Sequence, residues 1–257
     1  MWLYNPLLEE GFSIFFSNKK ALRAYLIYVV LIGAVLFLWW PKTPISYFLD
    51  SNLSPGIFTT VLIFSFLLMA WLSALFGIEG YVRDEFHLTA EWLGMTPLSP
   101  GRILRGKLAL FVLHTGFLAI LPLPFLIIAA SPSGISLRIL AACFIVALVC
   151  ALTYRIIGFF FLLVMEKRPF LMYSGLWGTV ILAVLSKGFL PKASPVEALL
   201  SLIPQGEQTY PRFHLFGLTA GYFMYALTYH LLISLIISLL SFAWIIFLRS
   251  KLKGSSK

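Results

Sequence analysis

Apolar residues in this chain gather into runs as long as a bilayer's hydrocarbon core is thick. About 20 consecutive apolar residues cross such a core as a helix. Six runs reach or approach that length: residues 22–40, 57–78, 104–130, 137–164, 170–186 and 217–248. The pattern predicts an all-α polytopic membrane protein, one transmembrane domain over 1–257 with six transmembrane helices. The third, fourth and sixth runs exceed the minimum, so they are expected to tilt, kink or project from the bilayer. Pro122 and Pro124 predict a kink in the third. The fifth is the shortest and is rich in glycine.

Two connecting segments carry amphipathic patterns of their own. Within residues 1–20, Leu8, Phe12, Phe15 and Phe16 share one helical face, and Glu9, Glu10, Ser13 and Ser17 share the other. A helix lying in the cytoplasmic interface fits that division. Residues 187–216 are punctuated by Pro191, Pro195, Pro204 and Pro211. Between these prolines Val196, Leu199, Leu200 and Ile203 recur at helical spacing. This predicts a short external helix before the last span. The start MWLYNPLLEE lacks the basic residues and small-residue cleavage site of a signal peptide, so the first span itself is expected to direct insertion.

Composition supports the membrane reading: 60% of residues are apolar or aromatic and 11% are charged, against roughly 25% charged in soluble domains. The net charge of +9 raises the question of nucleic acid, but the basic residues cluster at the ends of the apolar runs. There they set orientation and meet lipid headgroups. Fourteen Lys and Arg fall on the side of the termini and residues 79–103, and five on the other. The positive-inside rule therefore places both termini in the cytoplasm, which an even number of spans satisfies. Cys143 and Cys150 are seven residues apart on one helix, roughly 10 Å along its axis, beyond disulfide reach. With His87, His114, His214 and His230 they show no ligand spacing, so no metal site is expected.

Residues 79–107 form the one sizeable polar loop on the cytoplasmic side. Helix formers run to Met95, with Leu88, Trp92 and Met95 on one face. Thr96-Pro97 ends that helix, and Ser99 with Pro100 starts the next. Gly101-x4-Gly106-Lys107 matches most of a phosphate-binding loop, but Leu108 stands where Ser or Thr would hold magnesium, and an apolar span follows in place of a βαβ unit. The chain is not expected to bind ATP itself.

Glu85, Thr89-x-Glu91-x-Leu93, Thr96-Pro97-Leu98-Ser99 and Ile103-x-x-Gly106-Lys107 together resemble the membrane subunits of ABC-2-type transporters, ATP-binding-cassette permeases that mostly act as exporters. Where that family has glycine followed by Thr-Leu-Glu, this chain has Leu88-Thr89-Ala90-Glu91. In the family this stretch is a coupling helix docked into a groove of the ATPase subunit. The resemblance thus implies that Glu85, Thr89, Glu91, Trp92, Leu93, Thr96, Pro97, Leu98 and Ser99 bind an ATPase partner. It also implies a permease without its own ATPase site, residing in the inner (cytoplasmic) membrane with a second permease copy or homologue. No cofactor is expected in this chain; ATP and magnesium belong to the partner.

Few other polar residues enter the spans. Arg155 lies within the fourth, where a charge faces protein or water; it reads either as lining a polar translocation path or as snorkelling or ion-paired, for example with Glu79. His114 in the third span reads as a helix–helix hydrogen bonder. Tyr222, Tyr225 and Tyr229 share a face of the last span beside His230, as an interfacial aromatic belt or a substrate site. Arg155, His114, Tyr229 and His230 are therefore the candidate path residues. The mostly aromatic and aliphatic path favours an amphipathic or lipid-linked cargo. A secondary carrier is the alternative, but the spans lack buried acids for ion coupling. So is a membrane-embedded enzyme, but every acid except Asp50, Glu197 and Glu207 lies on the cytoplasmic side.

Overall fold

Asn18 ends one helix and begins another. Its extended backbone (φ −77°, ψ 129°) cannot continue a helix, and its side chain accepts a hydrogen bond from the Lys20 N–H at 2.8 Å, a cap of the first turn that follows. The computed structural model describes residues 6–40, 56–78, 98–165, 168–189, 194–203, 214–215, 218–219 and 221–254. In chain order these form α1 (Pro6–Ser17), α2 (Lys19–Trp39), α3 (Gly56–Gly77), α4 (Pro100–Ile120), α5 (Leu123–Ala130), α6 (Leu137–Met165), α7 (Pro169–Phe189) and α8 (Pro195–Leu202). A short antiparallel pair, β1 (His214–Leu215) and β2 (Leu218–Thr219), precedes α9 (Gly221–Gly254).

Helices α2, α3, α4, α6 and residues Tyr222–Ser250 of α9 are long and apolar enough to cross a membrane. The fold is thus that of a helical multi-span membrane protein. Two expectations are corrected in detail. The last helix does not begin at residue 217, because residues up to Thr219 pair in the β ladder and the helix starts at Gly221. The run 104–130 is two helices: Pro122 and Pro124 supply no N–H for the carbonyls a turn earlier, so α4 stops at Ile120 and α5 restarts at Leu123. Gly134, at φ +63°, then lets the Ile135 N–H reach back to the Ala130 carbonyl at 3.2 Å and turns the chain into α6; a side chain there would strain the backbone.

Helix α6 is the hub, packed against α3, α4, α7, α8 and α9. Small residues let α3 approach it closely: Ala70, Ala74 and Gly77 on one helix, Ala147, Ala151 and Gly158 on the other, all buried. A Cβ on Gly158 would overlap the Ala74 carbonyl, and one on Gly77 the Arg155 carbonyl. Backbone-to-backbone approach of this kind replaces the hydrophobic driving force that hydrocarbon cannot supply.

On another face α6 meets α9. The Thr153 Oγ1 lies 2.9 Å from the Ser234 Oγ and donates to the His230 carbonyl at 3.2 Å, and the Trp244 Nε1–H donates to the Leu163 carbonyl at 2.9 Å. Residue 153 thus faces 234 and 163 faces 244, so the two helices run in the same direction.

Candidate functional site

Where α1, α2, α4 and α6 meet, four aromatic and polar side chains surround one buried cation. Arg155 of α6 has no solvent exposure. Its guanidinium carbon sits 4.7 Å from the Phe15 ring centroid and 5.0 Å from that of Phe111, an arrangement worth about 2 kcal/mol or more when water is excluded.

The hydrogen bonds here have a fixed direction. Arginine only donates, so its Nη1–H donates to His114 Nδ1. The neutral ring then carries its proton on Nε2, which donates to the Tyr25 hydroxyl. Tyr25 in turn donates to the Phe15 carbonyl at 2.8 Å. The chain Arg155–His114–Tyr25–Phe15 therefore ties α6 to α4, α2 and α1. The Phe15 ring covers the imidazole at 4.3 Å and 16°, and Phe76 meets it edge-on at 5.0 Å. Among the described residues the network includes no acid. Its chemistry is to hold a positive charge in a dry place and to fix α1 against the bundle.

Of the candidate residues, Arg155 and His114 are brought into contact. Arg155 is interior and bonded to a histidine, so it does not snorkel. His114 bonds between helices, as read from the sequence. Tyr229 and His230 lie on the other side of α6: His230 is buried with its ring 6.0 Å from that of Tyr154, and Tyr229 is 42% exposed. Successive residues on a helix point about 100° apart, so Tyr154 faces α9 while Arg155 faces α4. Leu98 is half-buried and Ser99 exposed, just ahead of α4. Ser99 holds the N-cap position in extended geometry with Pro100 first in the helix. Glu85, Thr89, Glu91, Trp92, Leu93, Thr96 and Pro97, and the suggested partner Glu79, lie outside the described residues. Lys107, the last residue of the phosphate-loop lookalike, is an interior residue of α4 and buried; that segment is helix. Among the described residues no cluster of His, Cys, Asp or Glu has the makings of a metal site.

Phe15, Tyr25 and Phe111 were not singled out by sequence reasoning as partners of Arg155. Each sits among other apolar residues, and only the helix packing selects them. Replacing Tyr25 by Phe deletes a hydroxyl that both accepts and donates, and should cost about 1–3 kcal/mol because the groups it leaves are buried. Trypsin should then cleave faster at Lys19 and Lys20, in the first turn of α2 next to the α1 junction. Unchanged cleavage would show that ring stacking alone secures α1.

No protein-family model, no curated protein and no solved structure matches the chain significantly.

Proposed function

We propose that this chain is the permease subunit of an ATP-driven transporter of the ABC-2 type, exporting an amphipathic or lipid-linked molecule. The observation that carries the reading is the segment Glu85–Ser99, an acidic, tryptophan-bearing stretch closed by Thr96-Pro97 and followed at once by the helix start at Ser99-Pro100. A plain connector needs the turn but not the acids and Trp92.

The fold supports the same reading in three ways. Because α6 and α9 run in one direction, the chain between them has to return to the side where α6 began. Helix α7, with 21 residues and so roughly 31 Å of length, is the element placed to do it. It would be the fifth of six spans, leaving both termini in the cytoplasm of an inner membrane. Helix α1 is separate from α2 and suits the interface, and α8, capped by Ser194 with Pro195 at its first position, is the short helix expected on the outer side. A single six-helix bundle encloses little more than its own side chains, so a second copy or a homologue would form the path between them. ATP and magnesium would act in the partner subunits.

ATP binding drives transport only if the partner's closed state interacts differently with two permease conformations. Affinity purification from native membranes should therefore recover an ATPase subunit. In the reconstituted complex, Glu91→Lys or Trp92→Ala should lower substrate-stimulated hydrolysis roughly tenfold, the loss of about 1.4 kcal/mol of coupling, with the membrane fold unchanged. Transport by the chain with no ATPase present would favour a secondary carrier.

A further inference from the structure

On the face of α6 away from Arg155, two polar groups have no hydrogen-bond partner in the described structure. His230 Nδ1 lies 2.8 Å from the Ala226 carbonyl. A carbonyl only accepts, so that nitrogen carries the ring proton and the neutral imidazole presents Nε2 as a bare acceptor. Neither Nε2 nor the Tyr154 hydroxyl makes a hydrogen bond with any described residue, although each side chain is only 4% exposed. Neither atom is sealed inside the bundle as the Ser65, Ser73, Thr115 and Ser241 hydroxyls are. The imidazole lies between two phenol rings, Tyr154 at 6.0 Å and the exposed Tyr229 at 5.7 Å.

Depth makes these atoms costly. Tyr154 lies eleven residues before Met165, the end of α6, roughly 17 Å along the helix. That is near mid-membrane, where no bulk water satisfies a polar group. The Thr153–Ser234 contact beside them fixes the register of α6 on α9, so the two atoms cannot turn away without breaking it.

We propose that Tyr154, Tyr229 and His230 form a lipid-facing binding site for an amphiphile bearing a hydroxyl group. A hydroxyl donates to His230 Nε2 and accepts from Tyr154 with the same oxygen. An ester carbonyl or a phosphate only accepts and leaves Nε2 unpaired. An ammonium only donates and adds a charge at a depth where charge is expensive. Tyr229, at the rim, offers a second hydroxyl to the same ligand. The site rests on α6 and α9 lying in a membrane and not on the ATPase partnership, so it stands or falls separately from the transporter reading. A resident lipid and a transported amphiphile offer the same hydroxyl.

The test uses the full chain in phosphatidylcholine vesicles with a photoactivatable long-chain alcohol and its methyl ether, which accepts but cannot donate. Cross-links are mapped by mass spectrometry. The alcohol should label residues around 154 and 229–230 about tenfold more than the ether, the cost of leaving one buried acceptor unpaired. His230→Phe should remove that preference, and His230→Gln, which restores an acceptor, should recover part of it. The wild-type ratio needs no variant, so a folding defect in His230→Phe leaves the test intact. Equal labelling by the two probes, or a preference retained in His230→Phe, overturns the site. Label lost on dilution into fresh vesicles before irradiation identifies an exchangeable amphiphile, and label retained identifies a resident lipid; both support the site.

Discussion

A Gly158→Leu variant should fail to accumulate as folded protein, giving no monodisperse peak by size-exclusion chromatography in mild detergent. Gly158 faces the Ala74 carbonyl so closely that a single Cβ would overlap it. The atom it meets is backbone, which cannot rotate aside as a side chain does, so α3 would have to move as a unit. That movement would pull Gly77 from the Arg155 carbonyl on the next turn and open the packing shared by Ala74 and Ala151. Overfilling even an adaptable core costs about 1–3 kcal/mol, occasionally more, and a leucine against two backbones belongs at the upper end. The total stability of a folded domain is only about 5–15 kcal/mol. Gly158→Ala should show the smaller loss as a lowered melting midpoint. Gly116→Ala on α4, where a Cβ meets nothing within 4 Å, should be neutral or slightly stabilising through helix propensity. A Gly158→Leu protein with a normal elution profile and melting midpoint would show that α3 and α6 are not held by this contact.

Replacing His114 by Leu should destabilise the protein by about 3 kcal/mol or more, because a buried charged group that loses a hydrogen-bond partner costs more than the roughly 1–3 kcal/mol of a neutral one. The guanidinium loses an acceptor, Tyr25 loses the donor to its hydroxyl, and the ring stack with Phe15 disappears. Arg155→Met should cost less, about 1–3 kcal/mol, since it removes the charge and strands only a neutral nitrogen. The double variant is the informative one. With both partners apolar, no buried charge is left stranded and only the Tyr25 hydroxyl still lacks its donor, so the two losses should fall short of additivity by at least about 1 kcal/mol. The measurement is reversible unfolding in mixed micelles for the four proteins of the cycle. Additive losses would show that Arg155 is held chiefly by partners other than His114.

How much of this was legible in the sequence depended on the range of the interaction. The separate helix within residues 1–20, the interruption at Pro122 and Pro124, the helix start at Ser99-Pro100 and the short helix around Val196–Ile203 were legible because they are local events, decided by φ restriction, missing N–H donors and side-chain periodicity within a few residues. Apolar run length likewise marked the membrane-crossing helices, because the bilayer sets a length that any sequence must meet. The β ladder at His214–Thr219 was not anticipated. It interrupts an otherwise apolar stretch by pairing backbone groups, which hydropathy does not register.

The partners of each polar residue belong to a different level. A run such as 24–39 carries no charge on any side, so hydropathy does not distinguish Tyr25, which reaches His114, from its exposed neighbours. Arg155 was visible in sequence as a charge out of place, and two environments were open to it. Only the packing of α4 against α6, and of α1 against α4 and α2, put it among Phe15, Phe111 and His114. The same packing turned Tyr154 by about 100° toward α9 and placed it beside His230, 76 residues away in the chain. By itself, then, the sequence determined the helices and their need for a membrane, through the cost of exposing apolar surface to water and backbone polar groups to lipid. The tertiary structure decided which polar side chains meet, because between helices that are apolar all round only the close approach of Gly77 and Gly158 and the pairing of buried polar groups choose one arrangement over another.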